Sequence, residues 1–208
     1  MRCGGVRSRG VGHRTTTEHL RYAHAVLLRR ALFACIALLV AGQALIWWRA
    51  LAWYPHLPDR IPMHFNGSGA PDRWADRGWE WFLLPGMSVL LEVLFAAIAL
   101  FLDWMAMRTP ALINVPNKEL FVRLSPIGRM RVLAPTRVFL LWTGATVVFL
   151  FAYIVEGTAR VAIKEMDTLP WWPIVVFMGF TSVGLVAFLV VTTRMVDRVA
   201  REEGVLLR

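Results

Sequence analysis

The sequence predicts an all-α membrane protein: four transmembrane helices, both termini cytoplasmic, and a Pro/Gly-rich extracytoplasmic loop between the first two helices. Three observations carry this prediction. Of the 208 residues, 57% are hydrophobic, more than the roughly 45–50% of a soluble domain. Four apolar runs are each close to the ~20 residues needed to cross a hydrocarbon core of about 30 Å. Finally, the lysines and arginines that give the chain its net charge of +9 fall unevenly between those runs.

The runs are Ala31–Trp53, Trp81–Trp104, Val138–Val155 and Trp171–Thr192. The first has a basic flank in Arg29 and Arg30, and Ala50-Leu51-Ala52 fits a signal-peptide cleavage pattern. Its apolar stretch outruns a 7–15-residue signal core, however, and it ends in Trp47-Trp48-Arg49, residues suited to a membrane interface. The expectation is a retained helix. Lys and Arg number seven in residues 1–30, six in 105–137 and four in the C-terminal tail, against four and two in the other connections. Seventeen against six places both termini and the middle loop in the cytoplasm by the positive-inside rule, in a multi-pass protein of a bacterial plasma membrane. Cys3 and Cys35 then both lie on the reducing side, and no disulfide is expected.

Five segments follow. Residues 1–30 form a basic cytoplasmic tail, its Arg/Gly/Thr-rich first eighteen residues read as disordered, with room for a short helix over 19–30. Then come a helix-loop-helix unit (31–104), a basic cytoplasmic loop (105–137), a second helix pair (138–192) and a cytoplasmic tail (193–208). The basic tail lacks any base-stacking or groove-reading motif, so nucleic acid is not an expected partner. Topology setting and attraction to the lipid bilayer explain its charge. There is no internal repeat; the second outer connection echoes only the Leu-Pro of the first.

In the outer loop "YPHLPDRIPMHFNGSGAPDRWADRGWEW", prolines 55, 58, 62 and 71 forbid a continuous helix and favour extended geometry before them. Asn66, Gly67 and Gly69 allow a sharp reversal. Pro71 is expected to open a short helix with Asp72 in its first turn, with Trp74, Trp79 and Trp81 at headgroup level. His56, His64, Asp59, Asp72, Asp76 and Glu80 could in principle ligate a metal or form an acid/base pair. No His-x-His, HExxH or paired Cys supports that. The expectation is therefore no metal, no cofactor and no enzyme, with His64 bonded to loop backbone and Asp59 and Asp72 capping turns.

The stretch "LPDRIPMHFNGSGAPDRW" resembles the signature of the domain of unknown function family 1648, over about residues 45–100. The matching positions are Leu57, Pro58, Asp59, Ile61, Pro62, His64, Phe65, Asn66, Gly69, Pro71 and Asp72. The cytoplasmic "LINVPNKELFV" (112–122) is similar to a segment of short four-helix members. The better-known relatives are bacterial immunity membrane proteins of the SdpI type, which protect a cell from a secreted peptide toxin and signal across the membrane. The resemblance thus implies sensing or immunity-like binding of an extracellular peptide at the outer loop. A cytoplasmic regulator would meet the inner surface formed by Asn117, Lys118, Arg123, Arg129 and Arg131.

One further feature comes from depth. Gln43 lies ten residues before Trp53 and Glu92 eleven after Trp81, about 15 and 16 Å at 1.5 Å per residue, so both reach mid-membrane. Thr143 and Thr146, and Thr181 with Ser182, fall near the centres of the last two spans. An intramembrane carboxyl is a functional candidate by default. Glu92 is expected to face the bundle, with Gln43 or a central hydroxyl as partner. Its role is either interhelical hydrogen bonding or that of a small transporter or accessory subunit. Arg49 is expected to snorkel outward without a partner.

Overall fold

The computed structural model describes residues 11–205, with side chains from residue 26 onward. Five helices and one hairpin appear there: α1 (Val11–Trp53), β1 (Arg60–Phe65), β2 (Pro71–Asp76), α2 (Leu83–Arg108), α3 (Lys118–Arg123), α4 (Pro126–Ala162) and α5 (Trp172–Glu202). Four of these helices are long and apolar enough to cross a membrane, within Val26–His56, Trp79–Arg108, Pro126–Ala162 and Trp172–Glu202. This is the pattern of a multi-pass membrane protein, and the four expected spans all fall inside those helices.

Helix α4 is the hub. The other three long helices and β1 all pack on it, whereas α1 and α2 meet each other only sparingly. Two apolar cores result, one at each end of the bundle. At the hairpin end, Ile46 and Ala50 of α1, Leu57, Ile61 and Trp81 pack with Val148, Ala152, Val155 and Ala159 of α4. At the other end, Phe121 and Leu124 pack with Val132 and Leu133 of α4 and Met195, Val196 and Val199 of α5. Between the cores the helices expose Leu, Val and Phe side chains around the bundle, as lipid-facing surfaces require.

Three expectations are corrected. The tail read as disordered is helical from Val11 onward; residues 1–10 lie outside the described range. Once the membrane span supplies a nucleus, each residue added back toward Val11 gains a backbone hydrogen bond without a new nucleation cost. The loop 105–137 ends early, because α4 starts at Pro126, twelve residues before the expected span. Ser125 caps it, its Oγ accepting from the Gly128 amide at 3.0 Å, and Pro126 follows at the first helical position. The helix continues through Pro135. Likewise α5 runs on to Glu202, into the segment expected to be tail.

The outer loop brings the fourth correction: it is a β-hairpin, so the described fold is not purely helical. Pro71 begins a strand rather than a helix. Strands β1 and β2 pair antiparallel, from Arg60 opposite Asp76 to Phe65 opposite Pro71. Irregularities around Met63 and Asp72 leave those two residues out of the register. A two-stranded sheet has only edge strands, where proline is tolerated. Such a hairpin is marginal alone, and this one is held by burying Ile61 and Pro62 against α4.

Candidate functional site

The hairpin is built from its turn outward. Asn66 Oδ1 accepts from the Ser68 amide at 3.0 Å, the Ser68 hydroxyl at 2.7 Å and the Ala70 amide at 3.1 Å. Gly69 takes the left-handed φ of +80° that the reversal needs. The Leu169 amide, from the α4–α5 connection, donates to the Gly69 carbonyl at 2.8 Å. A Cβ on Gly69 would overlap the Leu169 carbonyl oxygen, and one on Gly157 of α4 would overlap Leu169 Cδ1. Leu169 is buried, wedged between the hairpin tip and α4. Tyr153 of α4 holds the same connection by donating its hydroxyl to the Pro170 carbonyl at 2.6 Å.

The hairpin base is fixed as well. Trp81 Nε1 donates to the Ala50 carbonyl of α1 at 2.8 Å. Arg77 donates through its guanidinium to the Leu57 carbonyl at 2.8 Å and through its amide to that of Asp59 at 2.7 Å. Trp81 is buried, whereas Trp79 and Trp74 remain exposed.

The signature residues divide by role. Leu57, Ile61, Pro62 and Gly69 are buried; Phe65 and Pro71 are half-buried. Pro58, Asp59, His64, Asn66 and Asp72 are exposed. His64 and Asp72 meet each other, Nδ1 to Oδ1 at 2.6 Å, so His64 does not bond loop backbone as expected. The irregular register around Met63 and Asp72 accompanies this pairing: His64 stands opposite Arg73, yet it reaches Asp72. Among the described residues no group of three metal-ligating side chains occurs.

The mid-membrane polar residues come together only in part. Gln43 Nε2 donates to Glu92 Oε1 at 2.6 Å and to Ser88 Oγ at 3.0 Å, bridging α1 and α2. Ser88, fully buried, was not foreseen; it lies one turn before Glu92 and donates to the Pro85 carbonyl at 2.7 Å. Thr146, Thr181 and Ser182 instead bond carbonyls four residues back on their own helices, the ordinary resort of hydroxyls in helices. Thr143 has a buried hydroxyl with no hydrogen-bond partner among the described residues.

Arg49 is not free, contrary to expectation. Its guanidinium meets Glu156 of α4 through Nε at 2.7 Å and Nη2 at 2.6 Å. The same carboxylate accepts from Trp53 Nε1 at 2.8 Å and Arg160 Nε at 2.8 Å. A half-buried carboxylate at the end of a span competes with water and lipid for the arginine, and three donors satisfy it. A cavity of about 280 Å³ lined by Leu45, Arg49, Phe149, Ala152, Tyr153 and Glu156 adjoins this cluster. Matching residues by depth, as was done for Gln43 and Glu92, would have paired Arg49 with Glu156.

At the opposite end, three of the five residues expected to form a contact surface are used within the fold. Asn117, at φ +53°, donates to Asp197 of α5 at 2.7 Å. Arg129 donates to the carbonyls of Ala106 and Val122, and Arg131 pairs with Glu202 at 2.8 Å. Arg137 likewise pairs with Asp103 of α2. Lys118 and Arg123 stay exposed.

Residues 43–89 match the family model described as "Domain of unknown function (DUF1648)", which spans the end of α1, the hairpin and the start of α2. A curated relative is an uncharacterized protein of the archaeon Archaeoglobus fulgidus, 31% identical over 83 residues. That match covers 40% of this chain and 45% of the relative, so the chain matches less than half of that protein's length. No solved structure matches.

Proposed function

We propose that this multi-pass membrane protein is a non-enzymatic receptor in the cytoplasmic membrane of a prokaryote, with the hairpin outside and both termini inside. The hairpin would take an extracellular peptide on its exposed face, which carries the His64–Asp72 pair and Asn66. The observation that carries the reading is Leu169, which ties the hairpin tip to the α4–α5 connection and to α4 itself. A ligand that shifts the tip must shift Leu169, and α4 touches every other long helix. Lys118 and Arg123, the two exposed cations of the expected inner surface that stay out of the fold's own side-chain pairings among the described residues, would meet a cytoplasmic regulator. The test places a photo-crosslinking residue at Gly67, where an added side chain meets open space, and exposes cells, with and without the gene, to candidate secreted peptides. A crosslink with altered survival supports the reading; identical survival and no crosslink reject it.

The Gln43–Glu92 contact favours a second reading, a small transporter or accessory subunit. Flux in proteoliposomes that survives Glu92→Gln unchanged would rule it out.

A further inference from the structure

A cleft of about 440 Å³ separates α1 from α5, with α4 as its floor. Its wall is apolar, formed by residues such as Ala34, Leu38, Phe139, Trp142, Ala187 and Phe188. Along α1 it runs from Leu28 to Leu38, about 15 Å at 1.5 Å per residue, or one leaflet of a core roughly 30 Å thick. One end therefore reaches the headgroup level and the other stops at mid-membrane.

Two cations stand at the headgroup end. Arg30 lies one turn before Ala34, at the edge of the α1 face that lines the cleft, and Arg194 lies three residues beyond Val191 on the lining face of α5. Both are exposed, and neither has an ion-pair partner among the described residues. Asp103 and Glu202 are paired with Arg137 and Arg131, whereas Asp197 and Glu203 accept from the neutral Asn117 and Ser125 and keep their charge. An apolar slot one leaflet deep beneath two exposed arginines, neither in an ion pair among the described residues, matches one class of molecule.

We propose that this cleft holds an acyl chain of an anionic phospholipid, whose phosphate sits against Arg30 and Arg194. The proposal is independent of the receptor reading, because it concerns the end of the bundle opposite the hairpin.

The test is native mass spectrometry of the full chain in mild detergent, titrated with phosphatidylglycerol or with phosphatidylcholine of the same acyl chains. Phosphatidylglycerol should be retained one to one in preference to phosphatidylcholine. Each of Arg30→Ala and Arg194→Ala should weaken its binding about fivefold and leave phosphatidylcholine unaffected. Ala187→Phe, which fills the slot, should remove the retained lipid. Should that variant misfold, the two surface arginine variants still decide the matter. Four outcomes overturn the proposal: equal retention of both lipids, a preference untouched in the double arginine variant, a two-chain mass that dissociates on Ala187→Phe, and lipid uptake that rises when residues 1–10 are deleted. The last two would assign the cleft to a second copy or to the chain's own N-terminal segment.

Discussion

Leu169 sits between Gly69 and Gly157, its amide bonded to the Gly69 carbonyl at 2.8 Å and its isobutyl group filling the space a side chain on Gly157 would need. A residue from the second helix pair thereby fixes a turn of the first.

Gly69→Ala should be costly for two reasons, a strained positive φ and an overlap with the Leu169 carbonyl. The expected loss is about 1–3 kcal/mol, read as a lower Tm by tryptophan fluorescence in detergent. Gly67 has open space around it and no positive φ, so Gly67→Ala should leave Tm nearly unchanged. Equal effects at the two positions would contradict the wedge.

Leu169→Ala should cost about 2–5 kcal/mol, the usual range for emptying a buried leucine site. It should also free the hairpin, which carries Arg60, Arg73 and Arg77, to limited trypsin digestion while the membrane spans stay intact. A hairpin equally resistant in the variant would show that the base contacts through Trp81 and Arg77 suffice.

The Arg49–Glu156 pair should show a coupling of about 0.5–3 kcal/mol in a double-mutant cycle with Arg49→Gln and Glu156→Gln. Its single variants should each lower Tm, since Glu156→Gln leaves the half-buried Arg49 without its carboxylate and Arg49→Gln leaves Glu156 with Arg160 and Trp53 alone. Additive effects would mean that lipid headgroups or water replace the lost partner freely.

Glu92→Gln preserves a group that can bond Gln43 and should move stability by only about 0.6 kcal/mol, the mean for interhelical hydrogen bonds in a bilayer. Glu92→Leu should lower Tm further, because Gln43 then loses an acceptor. If Glu92→Gln unfolds the protein, the charged form is required for folding.

The proposed orientation is tested with single cysteines in a Cys3→Ser, Cys35→Ala background. A membrane-impermeant maleimide should label Asn66→Cys on intact cells and leave Asn114→Cys unlabelled until the membrane is opened. The reverse pattern inverts the arrangement.

The spans and the Gln43–Glu92 contact were legible because hydropathy and depth are one-dimensional properties, and both residues lie in single helices whose rise is known. The hairpin was only half legible. Extended geometry before the prolines and a reversal at Asn66–Gly69 could be read, yet Pro71 followed by Asp72 reads as a helix start where it begins a strand. Nothing local announces that Ile61 and Pro62 will find α4 some ninety residues later. Arg49 and Glu156, 107 residues apart, do share a depth, and their pairing is hidden only because an arginine at a span end can equally snorkel outward; the internal use of Asn117, Arg129 and Arg131 has no such signal. A basic residue beside a membrane is as readily a carbonyl donor within the fold as a free cation.

The dependence of the hairpin on α4 has a consequence for biosynthesis. The turn at Asn66–Gly69 leaves the ribosome roughly a hundred residues before Leu169, a lag on the order of 5–20 s at ordinary elongation rates. Throughout that interval Ile61 and Pro62 have no surface to pack on, since their partners Val148–Ala159 have not been inserted. Residues 43–89, which match the family model, are thus made early and settle late, and a nascent chain arrested before α4 should display a tip open to chaperones and proteases.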